Sequence, residues 1–156
     1  MNRLSVRYDL FGKISELALA APQPFPARKD RLWKGTCLEL FLALTDSERY
    51  WEFNFSPGGD WNVYRFESCR TGMRDETSYS SLPFHVRRET DALRLSVDLD
   101  IGLIIPADNS IAAGVAAIVK PVTGETVHWA LAHPNSRPDF HRRDGFMLSF
   151  SGRSIR

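Results

Sequence analysis

Apolar side chains fall at every second position over most of this chain, and that period constrains its fold more than any other feature. A period of two is the spacing of a β-strand with one buried face. Leu4 to Leu10 sets Leu4, Val6 and Tyr8 against polar neighbours, and the pattern returns at Thr36 to Leu44, Tyr50 to Phe55, Trp61 to Glu67, Phe84 to Glu89 and Leu93 to Leu99. Thr90-Asp91-Ala92 is a turn-sized gap, so the last two segments read as a hairpin. Ile111 to Val119 is almost wholly apolar, as expected of a strand covered on both sides, and Val127 to Leu131 and Gly145 to Phe150 close the chain. Ile14 to Leu19 is a weaker strand candidate whose alanines also suit a helical turn, and Ile101 to Ile105 fits a helical turn or a bend. The prolines of Ala21 to Pro26 remove ladder donors and predict a surface loop. About ten short strands without an amphipathic helix describe an all-β sandwich or barrel.

Length and charge narrow the function. A chain of 156 residues fits one domain and buries enough surface to need neither metal nor disulfide. Twenty basic and nineteen acidic residues leave a formal charge of +1, which argues against a nucleic-acid protein. The basic clusters are short: Arg87-Arg88, His141 to Arg143, and the tail Arg153 to Arg156. No apolar run approaches the ~20 residues of a membrane helix, and Arg7, Asp9, Lys13 and Glu16 interrupt the start where a signal peptide is continuous. The expectation is a cytoplasmic protein with no membrane partner. Cys37 and Cys69 lack metal-binding spacing and read as free thiols, Cys37 as a small core hydrophobe.

The chemistry concentrates on one hairpin. Leu38, Leu40 and Leu42 share a face of the first strand, and Trp51, Phe53 and Phe55 share a face of the second. Burying both sets together aligns even positions with odd ones, so Glu39 lies opposite Glu52 or Asn54. Either register gathers Cys37, Glu39, Phe41, Tyr50, Glu52 and Asn54 on the second face. Like charges set opposite one another are costly. Such a face needs solvent, a basic neighbour such as Arg65 or Arg94, or a ligand rich in hydrogen-bond donors. A sugar is such a ligand, since its hydroxyls satisfy carboxylates and amides while its C–H faces pack on aromatic rings. Leu38, Leu40, Phe53, Phe55, Leu95, Val97, Val115 and Ile118 are the expected core.

The run Leu32-Trp33-Lys34-Gly35-Thr36-Cys37-Leu38-Glu39-Leu40-Phe41-Leu42, followed by Tyr50-Trp51-Glu52-Phe53-Asn54-Phe55-Ser56-Pro57, resembles the DOMON-like superfamily, and within it the family 9 carbohydrate-binding modules. Gly58 to Tyr64, Trp129 to Pro134 and Pro138 to His141 look like a bacterial branch of that superfamily, so the similarity spans nearly the whole chain. The resemblance implies a single immunoglobulin-like or jelly-roll antiparallel β-sandwich over residues 1–156. It also implies a carbohydrate or haem ligand; the expectation of no catalysis comes from the residues, none of which is ordered about a reacting atom. By position Trp33, Glu39, Glu52 and Asn54 match the shared pattern. Trp51 reads as core, which leaves Trp33, Trp61 and Trp129 as stacking platforms for a saccharide. The chain departs from the carbohydrate modules in being free-standing without an export signal, so an extracellular polysaccharide is disfavoured.

Other constellations are weaker. His133, Asp139, His141 and Asp144 fall within twelve residues and carry metal-ligating atoms, but Pro134, Asn135, Ser136 and Pro138 mark the stretch as an irregular loop. Haem ligation would draw on Met73 or Met147 with His85, His128, His133 or His141, and no pair stands out. Glu39 and Glu52 are the two carboxyls a glycosidase would need, yet no further catalytic motif accompanies them. The expected partner is a saccharide, with no cofactor, and the oligomeric state stays open. A structural or interaction module that retained the sandwich without a ligand is the rival reading.

Overall fold

In a computed structural model, which describes residues 2–152, the alternating segments form ten strands in two antiparallel sheets. The basic tail lies outside the described residues. The strands are β1 (Arg3–Phe11), β2 (Cys37–Leu44), β3 (Tyr50–Phe55), β4 (Trp61–Phe66), β5 (Arg74–Asp75), β6 (Phe84–Arg88), β7 (Ala92–Asp100), β8 (Ile111–Val119), β9 (Val127–Ala130) and β10 (Leu148–Phe150). A three-stranded sheet runs β1-β7-β6. The larger sheet runs β10-β8-β2-β3-β4-β5, and β9 pairs with β8 beyond the end of β10. Ile14–Glu16 and Ile101–Leu103 are 3₁₀ turns, which resolves the two ambiguous segments. The chain is an all-β sandwich.

The sandwich closes on the apolar positions that the alternation marks. Leu38, Leu40 and Leu42 of β2, Trp51, Phe53 and Phe55 of β3, and Leu95, Val97 and Leu99 of β7 are buried in one cluster between the sheets. Leu40 pairs with Phe53 and Leu38 with Phe55, so β2 and β3 take an even-with-odd register that places Glu39 opposite Asn54 and Phe41 opposite Glu52.

Two of the expected core positions differ. Val115 is only partly buried against the inter-sheet cluster, and Ile118 sits on the other face of β8, where it lines a cavity. The register explains the difference. Leu40 pairs with Val115, so alternation sends Ile118 to the outer face with Glu39.

The larger sheet has a second covered face. Phe41, Ala43, Tyr50, Tyr64, Phe66, Ala116 and Phe146 form a separate buried cluster there, with Trp33 and Phe140 packed against it. Residues 131–147 cross this face as a strap; the last expected strand, Gly145 to Phe150, is shortened to Leu148–Phe150 because Arg143–Gly145 forms a 3₁₀ turn. Arg143 ties the strap to the sheet by donating to the backbone oxygens of Leu44 (2.7 Å) and Ser47 (2.9 Å). Phe146 is seated over Gly114, where an added Cβ would lie 2.9 Å from Phe146 Cδ1. Only glycine admits that approach. We expect Gly114→Val to displace Phe146 and to cost about 1–3 kcal/mol by overpacking, read as a lowered midpoint in denaturant titrations. An unchanged midpoint would show that Phe146 does not hold the strap down.

Candidate functional site

Between the strap and the outer face of the larger sheet lies a cavity of about 350 Å³, lined by Trp33, Glu39, Glu52, Phe66, Arg70, Met73, Ile118, His128, Pro138, Phe140 and His141. Its floor is the polar stripe of β2 and β3. Glu39 is 3% exposed and Glu52 4%, and Asn54 is fully buried beside them. Asn54 Nδ2 donates to Glu52 Oε1 at 2.9 Å, and the Cys37 thiol lies 3.6 Å from Asn54 Oδ1. Among the described residues no side chain hydrogen-bonds the Glu39 carboxyl, and no lysine or arginine pairs with either glutamate. Neither basic neighbour expected to neutralise them does so. Arg65 shares a face of β4 with Val63 and reaches Glu67, and Arg94 pairs with Asp9 and Glu89 on the smaller sheet.

His141 closes the floor from the strap. The backbone N–H of Arg70 donates to the Tyr50 hydroxyl at 3.1 Å, and that hydroxyl shares a hydrogen bond of 2.7 Å with His141 Nδ1. His141 Nε2 faces Glu52 Oε2 at 3.6 Å. Burial, with the charge of Arg70, pushes His141 down to about 4, so the ring is neutral at physiological pH. Burial pushes Glu52 up to about 7, although the Asn54 hydrogen bond and the Arg70 charge favour its ionised form. Burial and the adjacent Glu52 raise the Glu39 carboxyl well above its ordinary range. At neutral pH the floor therefore retains a proton. It can donate as well as accept hydrogen bonds.

The walls are aromatic. Trp33 is presented by the turn Leu32–Lys34 and meets Tyr64 edge-on at 5.5 Å. That turn begins at Arg31 in a left-handed conformation (φ 59°), where the Arg31 N–H donates to the Tyr64 hydroxyl and the hydroxyl donates to Asp30. Phe66 stacks on Tyr50 at 4.7 Å, and Phe140 enters from the strap beside His128 at 6.0 Å.

The structure brings together Trp33, Glu39, Glu52 and Asn54 and separates the other two candidates. Trp61 pairs across from Phe55, is buried in the inter-sheet core, and carries the Arg28 guanidinium over its ring at 4.4 Å. Trp129 lies opposite Ala117, on the other face of the sheet from the cavity, and is 65% exposed. Neither lines the site. Phe66 could have been found from sequence, because the alternation of β4 puts Asn62, Tyr64 and Phe66 on the face of Glu52. Arg70, Pro138 and Phe140 come from segments without a period and had no such signal.

Several side chains of the remaining constellations are engaged within the protein. Asp139 accepts from Arg70 at 2.8 Å, Asp144 from Arg142 at 2.6 Å, and His141 is engaged by Tyr50. Among the described residues no three His, Cys, Asp or Glu side chains form a group able to hold a metal ion. Met73, His128 and His141 line the cavity, whereas Met147, His85 and His133 do not. The site does not fit haem. Laying an apolar macrocycle on Glu39 and Glu52 would leave buried carboxyls without partners, and both nitrogens of His141 face other groups. Cys37 is buried and Cys69 exposed, and both are free. No helix is long and apolar enough to cross a membrane among the described residues.

No protein family matches the chain, and no curated protein does. Among solved structures it is similar to a proposed carbohydrate-binding protein from Bacteroides uniformis ATCC 8492, with a TM-score of 0.69 and 12% identity over 93% of this chain and 71% of that one. At that identity the likeness shows a shared fold.

Proposed function

We propose that this domain binds a saccharide in the cavity under the strap and performs no chemistry on it. The observation that carries the reading is a pair of buried carboxyls with hydrogen-bonding capacity to spare, at the bottom of a cavity walled by Trp33, Phe66 and Phe140. That combination suits a sugar ring, whose hydroxyls address the floor while its C–H faces lie against the aromatic walls. The volume is at the small end of the roughly 300–1,000 Å³ typical of ligand sites, which favours a terminal unit over a long chain. The similarity of Trp33, Glu39, Glu52 and Asn54 to the family 9 carbohydrate-binding pattern supports the same class of ligand, as does the role proposed for the Bacteroides protein.

Catalysis is not part of this reading. A glycosidase sets its two carboxyls to either side of the scissile bond. Glu39 and Glu52 rise side by side from adjacent strands of one sheet, so a bound sugar meets both from the same direction.

Glu52→Gln tests the proposal. The amide keeps the shape and can still accept from Asn54, so the melting temperature should not fall while saccharide affinity, followed by tryptophan fluorescence or a glycan array, falls about tenfold, the loss expected of one hydrogen bond to a charged group. Full affinity retained by a folded variant would remove Glu52 from the contact set. A protein-interaction role is favoured by a separate observation. Val127, Trp129, Leu131, Leu148 and Phe150 are exposed along the β9/β10 margin, an apolar patch of the kind that marks association.

A further inference from the structure

The proposed saccharide reading leaves the charge of the ligand open, and the cavity carries information on that point. Its two glutamates are more than nine-tenths buried and neither has a basic partner among the described residues. Arg70, the cation on the lining, is held by Asp139 at 2.8 Å, and His141, hydrogen-bonded to Tyr50 through Nδ1, is kept neutral by burial. Asn54 satisfies one oxygen of Glu52. The Glu39 carboxyl has no side-chain partner and opens onto the cavity. Aromatic rings form the sides, and the negative face of a ring attracts a cation that has been drawn out of water.

We propose that the cavity selects a sugar bearing a free, protonated amine, with Glu39 as the counter-ion of the ammonium, Glu52 taking hydroxyl hydrogen bonds, and Trp33, Phe66 and Phe140 packing on the ring. A neutral sugar satisfies hydrogen bonds but leaves Glu39 holding its proton. An ammonium supplies hydrogen bonds and a charge in the position of the missing basic partner. N-Acetylation would remove the charge and add bulk, so the acetylated sugar should be discriminated against. Binding should also drive the Glu39 proton into solution, because a carboxylate pairs with an ammonium far better than a carboxylic acid does.

This inference rests on the saccharide reading, and the test separates the two. D-Glucosamine, D-glucose, N-acetyl-D-glucosamine and choline are titrated calorimetrically into the intact protein, in buffers of different ionisation enthalpy. We expect glucosamine to bind about tenfold or more tightly than glucose, as a charge-assisted contact should, with release of about one proton, and N-acetylglucosamine to bind no better than glucose. Glu39→Gln, checked for a melting temperature no lower than that of the wild type, should bring glucosamine and glucose to parity and abolish the proton release. If glucose and glucosamine bind the wild type equally, the amine inference fails and the saccharide reading stands. If choline binds as tightly as glucosamine and glucose does not bind, the saccharide reading fails and the site is a general cation cage. Should none of the four bind, both fail. If Glu39→Gln proves unstable, Glu39→Asp serves in its place: the retained charge should preserve the preference for glucosamine over glucose, and a lost preference in the folded variant would overturn the assignment.

Discussion

Phe53→Ala should lower the stability of this protein by about 3–5 kcal/mol, the range for emptying a buried phenylalanine site. Phe53 is fully buried at the centre of β3. It pairs with Leu40 on one side and Val63 on the other, lies 6.4 Å from Phe55, and meets Tyr79 edge-on at 5.5 Å. These neighbours are themselves locked in strands or, in the case of Tyr79, by a hydrogen bond to Asp100 O at 3.0 Å. They cannot collapse into the space, so the cavity term should be felt nearly in full. Urea titration provides the check, with an unchanged m-value showing that the loss belongs to the folded state. A loss below about 1 kcal/mol would mean that the β2–β3 register, and with it the placement of Glu39 and Glu52 on one outer face, is wrong.

That register was legible in the sequence because it has only two solutions once both apolar faces are buried together, and either solution assembles Glu39, Glu52 and Asn54. Trp61 shows how far the same reasoning extends. Its alternation with Val63 places it inside, but a tryptophan near a polar stripe is easily read as a platform unless the β3–β4 pairing is followed as well. Ile118 and Trp129 required the order of strands. Nothing in an apolar run such as β8 says which neighbour it pairs with, and hence which of its faces looks outward. The strap was beyond sequence reasoning altogether. Its path depends on Phe146 meeting Gly114 and on Arg143 finding the carbonyls of Leu44 and Ser47, contacts between positions far apart in the chain. The floor of the cavity therefore followed from local alternation, and its roof did not.

The stability of the protein should fall as pH rises from about 5 to 8, and the double variant Glu39→Gln/Glu52→Gln should abolish the fall. Both glutamates hold their protons more tightly folded than unfolded: Glu52 is raised from 4.5 to about 7, and Glu39 is raised well above 4.5. The folded state then binds more protons than the unfolded one, and stability declines with pH. The contribution is complete below 4.5 and is lost as pH passes through each folded value. For Glu52 alone, at 1.36 kcal/mol per unit, the loss amounts to about 3 kcal/mol, and Glu39 extends it to higher pH. His141 acts in the opposite direction. Its value is lowered from 6.5 to about 4, so it contributes stability above 6.5 that is lost as pH falls toward 4. The His141 and Glu52 shifts are of similar size over overlapping windows and nearly cancel between 4.5 and 6.5. Glu39 is left to set the slope there, and both glutamates act above it. In the double variant His141 remains, and carboxyls held below their ordinary range, such as Glu76 and Asp139, act in the same direction at the acid end, so its stability should rise from pH 4 to 6.5 and then level, and it should exceed the wild type in alkaline buffer because two buried carboxylates are no longer forced to ionise together. Denaturant midpoints measured across that range decide the matter. A wild-type curve that stays flat or rises above pH 7 would mean that the two carboxyls are solvated in the free protein, and the compact acidic floor would have to be replaced by an open, hydrated face.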